Sequence, residues 1–282
     1  MDAPFSADLR GRFDTFCARA GRPAAPDEFG WDLYRAVHCG TAPDVQLFAD
    51  MALLGTYLRR AYDRLMPFVA PRRGWTGWNP DRSALLDRRG IEVVPPVGAT
   101  VGDTDEGPVL YAPSLAPFPD RRWLQWSSAD PLPREGYRVY VSAQPEHAFD
   151  AWLDTVQELA RNNIRSAAKV ACSTDLARRS DCVVVYGDET AVPDIIDAVR
   201  RVVNADRLRP DVPGFAVPLG RGVSLGLSDG PLPFAESLGW TWSNRLAEAY
   251  LAGDDGQVDH LFVELQGLFD RTVAGLPTRS DA

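Results

Sequence analysis

The sequence predicts an α+β fold: a helical N-terminal region, then a largely antiparallel sheet with helices packed on one side of it. Three observations carry this. Apolar residues recur at steps of three and four through the first 70 residues. After residue 131, alternating strand patterns and helical patterns follow one another in the order β-α-β-β-α-β-β-α-α. The 282 residues, 45% of them hydrophobic, are also enough to bury a substantial core.

Taken in order, Leu9, Phe13, Phe16 and Ala20 mark an amphipathic helix over 5–20 that ends at Gly21–Arg22–Pro23. A second helix covers about 27–38. The longest helical pattern, 43–69, places Phe48, Met51, Leu54, Leu58, Tyr62, Leu65 and Met66 on one face, and Pro71 stops it. From Arg72 to about Pro133 the chain is rich in Pro, Gly, Asp and Trp, with short strands expected at 91–95, 108–112 and 122–126. The Pro131–Leu132–Pro133 stretch divides the chain into a mostly helical 1–130 and an α+β domain over 131–282. That second part begins with the alternating strand 137–143. A helix at 146–161 carries Phe149, Trp152, Leu153, Val156 and Leu159 on one face. Strands at 164–172 and 181–187, a helix at 191–204, strands at 214–219 and 221–226, and helices at 237–252 and 257–274 complete it.

Charge and cysteine content narrow the function. The net charge of −9 argues against nucleic acid as a partner while leaving room for a local basic pocket. Cys17, Cys39, Cys172 and Cys182 lack metal-ligand spacing and read as reduced thiols of a cytoplasmic protein. The first residues carry no apolar signal region, and no apolar run is long enough for a membrane span. Neither a metal nor another cofactor is expected.

The basic residues are 29 arginines and one lysine, Lys169. Codon bias explains the arginine excess and makes the exception informative, because a guanidinium cannot become a neutral base near neutral pH. Lys169 lies on a strand between the small same-face neighbours Ala167 and Ala171. On strand 137–143, period-two alternation puts Arg138, Tyr140 and Ser142 on one face and Val139 and Val141 on the core face. The ordinary reading of that polar face is solvent exposure. Arg178–Arg179–Ser180–Asp181 leads into the next apolar strand. If Arg138, Lys169 and Arg179 converge, they form a cationic group suited to a phosphate dianion.

Other constellations are weaker. GRGVSLG at 220–226 reads as a tight turn between strands, and no P-loop, GxSxG or HExxH is present. His38, His147 and His260 are scattered; His147, at a helix start, is a reserve acid. Residues 59–89 carry eight Arg against three Asp, either an exposed helix face or a groove for an acidic peptide. Trp75, Trp78, Trp123 and Trp126 read as core or rim packing.

The segments GYRVYVSA, AAKVACS, ARRSDCVVVYG, PGFAVPLGRGVSLG and SLGWTWSNRLAEAYLAG, spanning about 131–252, resemble the HopA-type effector family. That family includes lyase components of class V lanthipeptide and thioamitide biosynthesis and is similar to phosphothreonine lyases of the OspF and SpvC type. The resemblance implies β-elimination of phosphate from phosphoserine or phosphothreonine in a ribosomal precursor peptide, giving dehydroalanine or dehydrobutyrine. It implies Lys169 as the base and Tyr140, in place of a histidine, as the acid. Arg138 and Arg179 would hold phosphate, with Arg245 and Arg221 in reserve and Asp181 and His147 supporting. Trp242 stands where the family pattern has an arginine, and Arg245 follows about one turn later. No nucleotide-binding motif is present, so a separate kinase component would supply the phosphate. The alternative is a non-catalytic subunit that binds peptide or kinase through a lyase-like fold.

Overall fold

In the computed structural model, which describes residues 5–21, 26–41, 50–72, 74–95, 99–117, 120–128, 136–228 and 237–274, the chain opens with α1 (Phe5–Ala20) and α2 (Pro26–Leu33). The latter runs into a π-helical turn over Tyr34–His38. Helix α3 (Met51–Leu65) is capped by the Asp50 carboxylate, which accepts from Leu53 N. It gives way to a 3-10 turn at Met66–Phe68, earlier than the sequence pattern suggests, because Pro67 cannot donate to the helical ladder. Residues 43–49 of that expected helix lie outside the described residues.

The Pro- and Gly-rich middle forms two small three-stranded antiparallel sheets. Its strands are β1 (Ala70–Arg72), β2 (Trp75–Trp78), β3 (Leu85–Asp87), β4 (Glu92–Val93), β5 (Thr100–Thr104) and β6 (Gly107–Ala112). They order as β1-β6-β5 and β2-β3-β4. Trp75 and Trp78 pack beside Leu85 and Leu110 there. Arg60, Arg64, Arg82 and Arg89 of the basic stretch each pair with an aspartate, in accord with an exposed, ion-paired surface.

The remaining elements are β7 (Leu115–Pro117), β8 (Trp123–Ser127), β9 (Gly136–Val141), α4 (Ala148–Arg161), β10 (Ala167–Ala171), α5 (Thr174–Ala177), β11 (Val183–Gly187), α6 (Val192–Val202), β12 (Val217–Gly220), β13 (Val223–Ser228), α7 (Leu238–Ala252) and α8 (Asp255–Ala274). Seven strands form one antiparallel sheet in the order β12-β13-β9-β11-β10-β8-β7. Because β7 and β8 precede residue 131, this sheet extends across the division drawn from composition. The division point itself falls outside the described residues. Among those residues, no helix is long and apolar enough to cross a membrane.

The valine face follows the alternation. Val139, Val141, Ala168, Val170, Val183 and Val185 are buried under α3, α4 and α6, where Phe149, Trp152, Leu153, Ile195 and Val199 meet them. The fold differs from expectation on the other face, which is covered too. Helices α1, α2, α7 and α8 build a second core from Leu9, Phe13, Phe29, Trp242, Leu246, Phe262 and Leu265, continuous with Phe215 and with Val217 of β12. The π-helical turn after α2 is thereby pressed onto the polar side of the sheet.

Candidate functional site

Sheet register turns the one-face argument into a row of side chains. Tyr140 on β9 pairs with Val184 on β11, which pairs with Lys169 on β10. One row away, Arg138 pairs with Tyr186, and Tyr186 with Ala167. The alanines beside Lys169 leave space that aromatic rings fill. Lys169 Nζ lies 4.4 Å from the Trp123 ring centroid and 5.9 Å from that of Tyr186. Arg179 Cζ stands 5.7 Å from the same Trp123 ring, and Arg138 Cζ 5.8 Å from Tyr186. Arg138, Lys169 and Arg179 are therefore brought together, spaced by two aromatic rings.

The loop between α5 and β11 fixes Arg179. Ser173 caps α5 by accepting from Leu176 N. The Ser180 amide donates to Cys39 O and its hydroxyl to His38 O, while Ser142 Oγ donates to Ser180 O. Arg179 donates from Nε and Nη2 to the two Asp181 oxygens, both at 2.7 Å, and from Nη2 also to Tyr34 Oη. Both charged side chains are almost fully buried. Burial opposes ionisation of Asp181, but the Arg179 guanidinium outweighs it and holds the carboxyl well below its ordinary range, with His38 and Lys169 adding to the effect.

Lys169 and Arg179 line a cavity of about 270 Å³ with Trp31, Tyr34, Arg122, Trp123, Leu176, Ser237 and Trp240. Three cations thus share a small, aromatic-walled space suited to a compact anion. Arg122 is oriented by Asp120, whose Oδ2 accepts from its Nε at 2.8 Å. Among the described residues, no group of three or more His, Cys, Asp or Glu is placed to hold a metal ion.

The other expected site residues lie outside the cavity. Arg138 is buried behind this cavity and does not line it. Nor does Tyr140, which is 2% exposed; burial raises its hydroxyl pKa, opposed in part by the neighbouring Arg138. Arg245 pairs with Glu264 of α8 and lies over Trp242, itself a core residue of the helical layer. Arg221 sits in the exposed turn before β13 and donates to Leu208 O. His147 precedes α4, the helix on the valine face. The residues that sequence reasoning missed are Trp31, Tyr34, Arg122, Ser237 and Trp240. Four of them come from helices and their edges, where the periodicity signals only packing.

His38 anchors this arrangement. Its ring stacks between Tyr34 and Phe215, at centroid distances of 5.4 and 5.6 Å, with its edge toward Tyr140. Nδ1 accepts from Phe215 N, which assigns the proton to the buried Nε2. Burial pushes the imidazole pKa down to about 3. Below pH about 6.5 the unfolded chain therefore binds a proton that the folded chain refuses. Stability should fall as pH drops from about 6.5 toward 3, by up to about 1.4 kcal/mol per pH unit from this residue. Urea unfolding at pH 7 and pH 5 checks this: His38→Gln should lose clearly less stability between the two than wild type. Equal losses would remove His38 as the cause.

Gly239 makes the imidazole's position possible. A Cβ there would stand 2.3 Å from His38 ring atoms, so α7 reaches the π-helical turn only with glycine at this point. Gly239→Ala should destabilise the protein by about 1–3 kcal/mol through overpacking. An unchanged thermal midpoint would show that the ring moves aside freely.

The family profile described as the HopA1 effector protein family matches residues 125–268, just over half of the chain. The chain belongs to the HopA1 effector protein family. The matched stretch contains the strands carrying Arg138, Tyr140 and Lys169, the loop carrying Arg179 and Asp181, and the helix carrying Trp240. Two solved structures share the fold seen here, the effector proteins from Pseudomonas syringae pv. tomato strain DC3000 and from Pseudomonas syringae pv. syringae strain 61. Each is 12% identical, with a TM-score of 0.55, over 93% of this chain and 95% of that one. No curated protein matches the chain. The HopA1 profile begins after Trp31, Tyr34, Arg122 and Trp123, so four cavity residues come from outside the matched segment.

Proposed function

We propose that this protein is a phosphoserine/phosphothreonine lyase acting on a phosphorylated peptide, with the cavity around Lys169 as its active site. The observation that carries the reading is the convergence of the chain's one lysine with Arg122 and Arg179 in a small aromatic-walled cavity. β-Elimination needs a base for the Cα proton and cations for the charge that develops on phosphate and on the enolate-like intermediate. Lys169 Nζ takes the first role. Asp181 occupies Nε and Nη2 of Arg179, which leaves Nη1, together with Arg122, for phosphoryl oxygens. The rings of Trp31, Trp123 and Trp240 limit water in the cavity, strengthening each charge contact. Arg138, behind Tyr186, adds to the positive field. The substrate on this account is a ribosomal precursor peptide phosphorylated by a separate kinase.

The bidentate engagement of Arg179 by Asp181 favours a second reading, a non-catalytic subunit that binds peptide or kinase. Incubation with a phosphothreonine peptide separates the two. A lyase releases inorganic phosphate and leaves a peptide about 98 Da lighter, the mass of phosphoric acid. Binding without a change in peptide mass supports the subunit reading, and phosphate release with a retained hydroxyl indicates a phosphatase.

A further inference from the structure

We propose that Tyr34 is the proton donor to the departing phosphate, a catalytic role that rests on the lyase reading above. Three observations lead to it. Tyr34 lines the same cavity as Lys169 and Arg179, whereas Tyr140, which the motif position favours, does not. Its ring lies over Arg179, with the guanidinium carbon 5.2 Å from the centroid, so its hydroxyl is placed by the group that would hold phosphate. That hydroxyl accepts from Arg179 Nη2 and from Ser237 Oγ, the latter at 3.5 Å, while its own proton points to Asp181 Oδ2 over 3.4 Å. At 3.4 Å the donated bond is long and weak. A phosphoryl ester oxygen arriving between Arg179 and Lys169 offers the proton a nearer acceptor.

Burial keeps the phenol protonated, raising its pKa well above the ordinary tyrosine value despite Arg179. The proton is therefore present at neutral pH and is released only to the strong base formed as the Cβ–O bond breaks.

Lys169 Nζ takes the Cα proton, and the C–H electron pair becomes the Cα=Cβ π bond. The Cβ–O bond breaks with its electron pair on oxygen, which takes the proton from Tyr34 Oη, so the group leaves as hydrogen phosphate. The Lys169 ammonium then returns its proton to the phenolate through water, restoring amine and phenol.

Tyr34→Phe in the full chain, assayed with a synthetic peptide carrying one phosphothreonine, tests the assignment. The turnover number should fall on the order of 10²-fold, with KM within about threefold and the thermal midpoint within a few degrees of wild type. A turnover within threefold of wild type overturns the proposal. So does a loss accompanied by a tenfold rise in KM, which marks a binding or structural role. If Tyr34→Phe does not fold, 3-fluorotyrosine at position 34 keeps the ring and hydroxyl but makes the phenol more acidic. The alkaline limb of turnover should then move to lower pH, and an unmoved limb overturns the proposal. Absence of elimination by the wild-type protein would instead defeat the underlying lyase reading.

Discussion

Lys169→Arg should reduce dehydroamino acid formation by roughly 10³-fold or more while leaving phosphopeptide affinity within a few-fold of wild type. The charge and the approximate reach of the side chain survive the change, and so does its place over the Trp123 ring. What disappears is access to a neutral nitrogen, because a guanidinium stays protonated at any working pH. General base catalysis typically contributes 10²–10⁴-fold, and no neighbouring group in the cavity offers a substitute amine. With a single lysine in the chain, amine-directed acetylation gives an independent check by mass spectrometry. A Lys169→Arg protein that eliminates phosphate at a comparable rate, or full activity after acetylation at Lys169, would remove the lysine from the mechanism.

Asp181→Asn should produce the largest loss of stability among single changes in the site. The Arg179–Asp181 pair is buried and bidentate. Neutralising one partner leaves an uncompensated guanidinium away from water, at a cost of about 3–5 kcal/mol. For a chain of this size that corresponds to a midpoint lowered by roughly 10 °C. The same change frees Arg179 for an external anion. Millimolar inorganic phosphate should therefore raise the midpoint of the variant by more than it raises that of wild type. A variant melting within about 1 °C of wild type would show that the pair adds little to stability.

Much of the side-chain placement on the sheet is legible in the sequence. Alternation with period two placed Arg138 and Tyr140 on one side of their strand and Lys169 between small neighbours. Antiparallel register then sets Tyr140 and Lys169 in one row with only Val184 between them. Arg179 and Asp181 were legible as neighbours in sequence, though not as a bidentate buried pair. The cavity walls were not legible. Trp31, Tyr34 and Trp240 belong to helices whose 3.6-residue pattern reports one buried face without saying what that face meets. His38 looked isolated because its partners Phe215 and Gly239 are far along the chain. The middle of the chain was obscure for another reason: strands of two to four residues, such as β2, β3 and β4, are too short for alternation to register. Trp123, on β8, was read only as packing, although its ring lies beside both Lys169 and Arg179 in the cavity.

The fate of oxygen during phosphate release separates elimination from hydrolysis. Wild-type protein is incubated with a phosphothreonine peptide in water enriched in heavy oxygen, and both products are weighed. Elimination breaks the Cβ–O bond without using water, so a lyase should yield phosphate carrying no heavy oxygen and a peptide lacking phosphoric acid. Hydrolysis at phosphorus would place one heavy oxygen in the phosphate and leave a hydroxyl on the peptide, and that result would contradict the lyase reading.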